Sequence, residues 1–175
     1  MNNEFRFRKF FQNKEIGMEI SIRRAKISDI PGLNELLYQV HKVHADKRPD
    51  LFKEGKKKYN EEELEKIIVN DSEPIFVAVN ENENLLGHVF CIFKEDRSES
   101  LTDIVTLFVD DLCVSKKARG KGIGRKLYEY VLDFAAKRGC YNVTLDAWSC
   151  NEQAVRFYEK CGMQVQKVVM EKILT

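Results

Sequence analysis

At 175 residues, with 43% hydrophobic and 33% charged side chains, the chain has the length and composition of one soluble domain with a substantial core. Its 29 basic and 28 acidic side chains leave a net charge of +1, so no global field draws it to nucleic acid or an anionic membrane, and any anion affinity must be local. No apolar run approaches the roughly eighteen residues of a membrane span, and no apolar secretory core precedes a cleavage site near the N-terminus. The cysteines, Cys91, Cys113, Cys140, Cys150 and Cys161, are odd in number and form no C-x-x-C pair. Reduced thiols in a cytoplasm are expected, not disulfides or a zinc site.

Residues 1–17 are basic and aromatic, from Phe5 to Phe11, without a clean period. They read as an extension, disordered or vector-derived, ahead of a domain spanning 18–175; an arm that docks on a partner is the sharper alternative. Met18 to Ala25 alternates Ile20 and Ile22 with Ser21 and Arg23, which predicts a strand with one buried face. Ser28 is expected to cap the next helix, with Asp29 and Pro31 in its first turn. Ile30, Leu33, Leu37, Val40 and His44 form that helix's stripe. His41 and His44 are expected at its wet end; they do not cluster with cysteines, and no metal is expected. The connection from His44 to Tyr59 is long for a turn, and such segments often carry ligand contacts. Asn60 and Glu63 make a capping-box pattern for a second helix with Leu64, Ile67 and Ile68 on its apolar face.

Ile75 to Val79 and Leu85 to Phe93 predict a hairpin across the turn Asn80 to Asn84, with Gly87 as a bulge candidate. The polar segment Ser98 to Leu101 precedes a strand over Ile104 to Val114. A third helix follows, with Ile123, Leu127, Tyr128, Val131 and Phe134 on one face and Arg138-Gly139 as its stop. Tyr141 to Ala147 reads as a strand. Ser149 to Asn151 caps a short helix, Glu152 to Lys160, ended by Gly162. Met163 to Leu174 is expected to hold one or two final strands. The order is β-α-α-β-β-β-α-β-α-β, a mixed sheet of α+β class.

Three of the chain's nine glycines fall at Gly120, Gly122 and Gly124, between a strand and a helix start, beside Arg119, Lys121, Arg125 and Lys126. A glycine turn lets the backbone approach closely, and a helix N-terminus offers free N–H groups and a positive dipole end. The expected guest is a phosphate or pyrophosphate; the bland reading is a tight turn with solvated basic residues. A Walker loop is excluded because Arg125-Lys126 stands where Lys-Ser/Thr is required, and the dinucleotide fingerprint has a different glycine spacing.

The run Arg119-Gly120-Lys121-Gly122-Ile123-Gly124 resembles the acyl-CoA loop of the GNAT superfamily of N-acetyltransferases, Arg/Gln-x-x-Gly-x-Gly/Ala, and Leu112-x-Val114 resembles its preceding strand. Asn151 to Met163 is similar to the second signature of that family, Asn-x-x-Ala-x-x-Phe-Tyr-x-Lys-x-Gly-Phe, with Met163 in place of the final phenylalanine. The resemblance covers roughly Met18 to Leu174. It implies a mostly antiparallel sheet with a splay between the strand ending at Val114 and the strand Tyr141 to Ala147, a gap that admits acetyl-CoA. Leu112, Cys113, Val114, Arg119, Gly120, Lys121, Gly122, Ile123, Gly124, Arg125 and Asn151 would then contact the cosubstrate. An N–H near Leu112 or Cys113 would polarise the thioester carbonyl.

The same resemblance implies that Tyr158 supplies the leaving thiolate's proton; the bland reading is a core tyrosine. For the base, Asp110 and Asp111 are both candidates. As neighbours on a strand they are expected to face opposite sides, one toward the acceptor cleft. An acyl-cysteine at Cys113 or Cys150 is disfavoured, because no histidine lies at a diagnostic spacing. The first helix–helix connection borders the acceptor site in the family, which makes His44, Asp46, Asp50 and Phe52 candidates there. The resulting expectation is a cytoplasmic N-acetyltransferase acting on a primary amine of a small molecule or peptide. The alternative is a non-catalytic acyl-CoA-binding or sensor module of the same fold. Relatives often pair through edge strands, which implies a homodimer.

Overall fold

In the computed structural model, residues 19–95, 98–100 and 102–174 are described; the N-terminal extension, Met18 and Leu101 lie outside them. Five strands form one sheet in chain order: β1 (Ser21–Arg24), β2 (Ile75–Val79), β3 (Leu85–Glu95), β4 (Val105–Val114) and β5 (Asn142–Leu145). All neighbours are antiparallel except β4 and β5, which are parallel. Helices α1 (Ile30–Lys47) and α2 (Glu61–Ile68) cover one face, and α3 (Ile123–Lys137) covers the other.

Each face has its own core. Leu33, Leu37, Leu64 and Ile68 pack on Ile75, Val77, Val79 and Phe90. Ile123, Leu127, Val131 and Ala135 pack on Phe76, Ala78, Val89, Leu107 and Val109. This explains why β2 is a continuous apolar run, since both of its faces are buried. The capping box opening α2 is formed: Asn60 Oδ1 accepts from Glu63 N at 2.9 Å, and Glu63 Oε2 accepts from Asn60 N at 2.7 Å.

Ser28 does not cap α1. It lies in a 3-10 turn, Ile27–Asp29, and Asp29 takes the cap position. The reason is a buried anchor: Asp29 accepts from Arg23 at 2.7 and 3.0 Å and from Lys26 N at 2.7 Å. The helix also runs one turn past His44, to Lys47. Pro49 then stops it, because the residue before a proline avoids the helical region.

The ladder between β2 and β3 slips beside Gly87, where Ala78 faces Gly87 and Val79 faces Leu85, so Leu86 is the extra residue. The need for glycine at 87 lies elsewhere: a Cβ there would sit 2.8 Å from the Cys113 carbonyl oxygen of β4. A second slip matters more. Phe90 faces Asp111 but Cys91 faces Val109, so Asp110 is the extra residue of β4.

The expected final strands are absent: 163–174 carries no regular structure, and Val165, Val168, Val169, Met170, Ile173 and Leu174 are exposed. Valine-rich sequence favours a strand only where a ladder and a packing surface exist. Here no ladder pairs the tail with a strand among the described residues; Glu171 of the tail lies 3.0 Å from Arg48. Among the described residues no helix is long and apolar enough to cross a membrane, and the five cysteines are free.

Candidate active site

The site is built at the end of β4. The β4–β5 ladder pairs Thr106 to Val109 with Asn142 to Leu145 and stops there. β4 continues for five residues, so the edge of Asp110 to Val114 on that side has no strand partner among the described residues. This is the splay expected from the sequence. Backbone N–H and C=O groups on such an edge are available to an extended ligand.

At the end of β4 the chain makes a 3-10 turn, Lys116–Ala118, and enters the glycine loop. Gly120 and Gly122 have φ of 78° and 73°, the left-handed region that side chains resist. Gly122 is the N-cap of α3, so the first amides of a fifteen-residue helix point out of the loop. Arg119, Lys121 and Arg125 are exposed around it; Arg125 pairs with Glu129 at 3.0 Å. Gly124 is helical, and a Cβ there would make only ordinary contact, at 3.5 Å, with Phe157 of α4 (Glu152–Lys160). Asn151 caps α4, its side chain accepting from Ala154 N at 3.4 Å.

The two aspartates do not face opposite sides. Leu107 and Val109 belong to the core under α3, and Leu112 and Val114 pack against that same core. The parity of β4 therefore changes across the bulge, and Asp110 and Asp111 both face the α1–α2 side. Their partners differ. Asp110 accepts from Lys58 Nζ at 2.6 Å and from Tyr59 Oη at 2.6 Å, and Tyr59 stacks on Phe90. Asp111 Oδ2 lies 2.6 Å from His88 Nε2. Both carboxylates are largely buried, with side chains 12% and 11% exposed.

Asp111 is also the charge felt by the groups around it. Burial first, then the Asp111 charge, raises the Tyr158 hydroxyl above the usual tyrosine range. The same two causes, in that order, push the Cys113 thiol up to about 12. His44 is lowered by burial, with Asp111 acting in the opposite sense. Tyr158 from α4, Cys113 from β4 and His44 from α1 therefore all feel the charge of one carboxylate. His44 is half-buried, not at a wet helix end, and stacks on Phe52 at 5.3 Å. Trp148 meets the same Phe52 ring edge-on at 5.4 Å. Of the other acceptor candidates, Asp46 pairs with Lys42 and Asp50 with Arg48, both on the surface.

The description "Acetyltransferase (GNAT) family" matches residues 37–163. The chain belongs to the GNAT acetyltransferase family. A glucosamine 6-phosphate N-acetyltransferase of Arabidopsis thaliana is 30% identical over 99 residues, 49% of this chain and 64% of that one. A streptothricin acetyltransferase of Streptomyces lavendulae is 38% identical over 87 residues, 50% of this chain and 42% of that one. The chain thus spans less than two thirds of the length of these curated relatives. A tetramutant of the BH1408 protein from Bacillus halodurans superposes with a TM-score of 0.83 at 28% identity, covering 87% of this chain and 99% of the other.

Within this GNAT domain, four residues of the site escaped sequence reasoning. Gln39 of α1 clamps the end of β4: its Nε2 donates to Val114 O at 3.0 Å and its Oε1 accepts from Lys116 N at 2.9 Å. Lys58 and Tyr59 occupy Asp110. His88 occupies Asp111. Of these only His88 carried a signal, as a lone polar side chain in the apolar run Leu85 to Phe93.

Proposed function

We propose that this GNAT domain is an N-acetyltransferase that moves an acetyl group from acetyl-CoA directly to a primary amine of a small molecule or peptide. One observation carries the reading: β4 runs on past its last β5 pair as an open edge, Asp110 to Val114, and leads directly into the glycine loop whose Gly122 caps α3. The loop amides from Gly120 to Gly124, with Arg119, Lys121, Ile123 and Arg125, fit the pyrophosphate. The free edge of Leu112, Cys113 and Val114 fits the extended pantetheine arm, and Asn151 borders it. A backbone N–H at Leu112 or Cys113 polarises the thioester carbonyl.

Of the two base candidates, Asp111 is favoured. The Asp110 carboxylate is shared between Lys58 and Tyr59, whereas Asp111 has a protein partner on one oxygen only among the described hydrogen bonds. The amine nitrogen attacks the carbonyl carbon, a C–N bond forms and the C–S bond breaks. The amine proton passes to Asp111, and the leaving thiolate takes a proton from Tyr158. Burial keeps Tyr158 protonated, as an acid must be. A thiol held up to about 12 makes Cys113 a poor nucleophile at neutral pH, which favours direct transfer over an acyl-cysteine.

The acceptor cleft is walled by His44, Phe52 and Trp148. Relatives named for glucosamine 6-phosphate and streptothricin favour an amine on a small molecule. A homodimer would cover the six exposed apolar residues of the tail, and five free thiols suit a cytoplasm. The test is release of CoA thiol with a panel of primary amines, led by glucosamine 6-phosphate. Amine-dependent release that disappears in D111N supports the reading. Acetyl-CoA binding with no release for any amine supports a sensor instead.

A further inference from the structure

His88 is fully buried on β3, and the mechanism above does not use it. Its Nε2 lies 2.6 Å from Asp111 Oδ2, its Nδ1 has no hydrogen-bond partner among the described residues, and its ring meets Phe90 edge-on at 5.0 Å. A carboxylate oxygen only accepts, so Nε2 carries the hydrogen. A hydrogen on Nδ1 as well would bury a donor with no acceptor, so Nδ1 is a bare lone pair. The surroundings thus fix one tautomer, the neutral imidazole with hydrogen on Nε2.

Packing alone gives no reason for an imidazole here. Its neighbours on the strand are Gly87 and the buried Val89 and Phe90, and a leucine would leave no buried nitrogen without a partner. The polar end has one use, which is to reach across from β3 to β4. That reach depends on the bulge: with Asp110 as the extra residue, Asp111 turns onto the face that His88 occupies.

We infer that His88 is a positioning residue, whose Nε2–H holds one oxygen of Asp111 and aims the other at the amine. The inference rests on the reading of Asp111 as the base. His88 does not itself touch the reacting atoms. It selects one rotamer of the carboxylate, and its neutral state leaves the full negative charge on Asp111.

The first arm of the test needs no acceptor. Nitrogen-15 spectra of histidine-labelled protein should show one of the three histidines locked with hydrogen on Nε2 and bare Nδ1, its signals absent in H88Q and displaced in D111N. A His88 with hydrogen on Nδ1, or one unmoved by D111N, overturns the inference. The second arm uses the fastest amine of the panel. H88L should lower kcat about tenfold or more with KM for acetyl-CoA little changed. H88Q, whose amide nitrogen sits near the Nε2 position, should restore most of the loss. H88L in a D111N background should add little, because both act through one carboxylate. Full turnover by H88L, or a folded H88Q as slow as H88L, overturns the inference. If D111N turns over normally, the base reading falls and the role of His88 with it. If D111N is slow and H88L is fast, only the role of His88 falls. Should H88L fail to fold, H88Q and the spectra still decide.

Discussion

Tyr158 and Asp111 are the two side chains on which turnover should depend, and they were differently visible. The Phe-Tyr pair of the second GNAT signature marked Tyr158 from the sequence. Asp111 could be narrowed only to a pair, because choosing between adjacent aspartates requires knowing what Lys58, Tyr59 and His88 reach. None of those contacts is local in sequence. Y158F should reduce kcat about a hundredfold while leaving acetyl-CoA affinity unchanged, measured by steady-state kinetics and calorimetry. An unchanged kcat would reduce Tyr158 to a core tyrosine packed against Tyr128 and Phe157.

Elements with strong local signals were legible: the capping box of α2, the β2–β3 hairpin, the apolar face of α3, and α4 with its Asn151 cap. The β4 bulge was not. Strict alternation applied to Val109-Asp110-Asp111-Leu112 placed the aspartates on opposite faces, although two adjacent polar residues between apolar ones break that period. The slip is set by pairing with β3, a property of two strands rather than one. The last strands failed for a related reason, since β-branched composition cannot tell whether a ladder partner exists. The glycine loop allows a sharper test. Gly122 holds a left-handed cap, so G122A should destabilise by about 1–2 kcal/mol. Gly124 is helical and has ordinary space for a Cβ, so G124A should be neutral or gain up to about 1 kcal/mol. Thermal unfolding of the two variants checks the contrast; equal losses would contradict the assigned roles.

At the scale of the molecule, stability should bend at both ends of the pH range. Burial raises the Cys91 and Cys113 thiols from an ordinary 9.0 to about 12. Between those values the folded chain keeps protons that the unfolded chain loses. That contribution is complete below pH 9 and falls away as pH climbs toward 12. Asp29 behaves oppositely. Burial would raise it, but its bonds to Arg23 and Lys26 outweigh that and hold it below 3.8. Its contribution is present above that value and is lost as pH falls further. Denaturant unfolding should show both slopes, and D29N should flatten the acid one. The tail makes a separate claim. Light scattering should give twice the chain mass, and a chain ending at Gly162 should be monomeric. A full-length monomer would count against the tail as a dimer contact.

The central claim is that the open edge of β4 and the glycine loop bind acetyl-CoA. Calorimetric titration of the full chain with acetyl-CoA, with ATP as comparison and G122E as control, tests it most directly. The account predicts one-to-one binding of acetyl-CoA in the micromolar range, weaker or absent binding of ATP, and loss of acetyl-CoA binding in G122E with the fold intact. No heat with acetyl-CoA, or equal affinity in G122E, would contradict it.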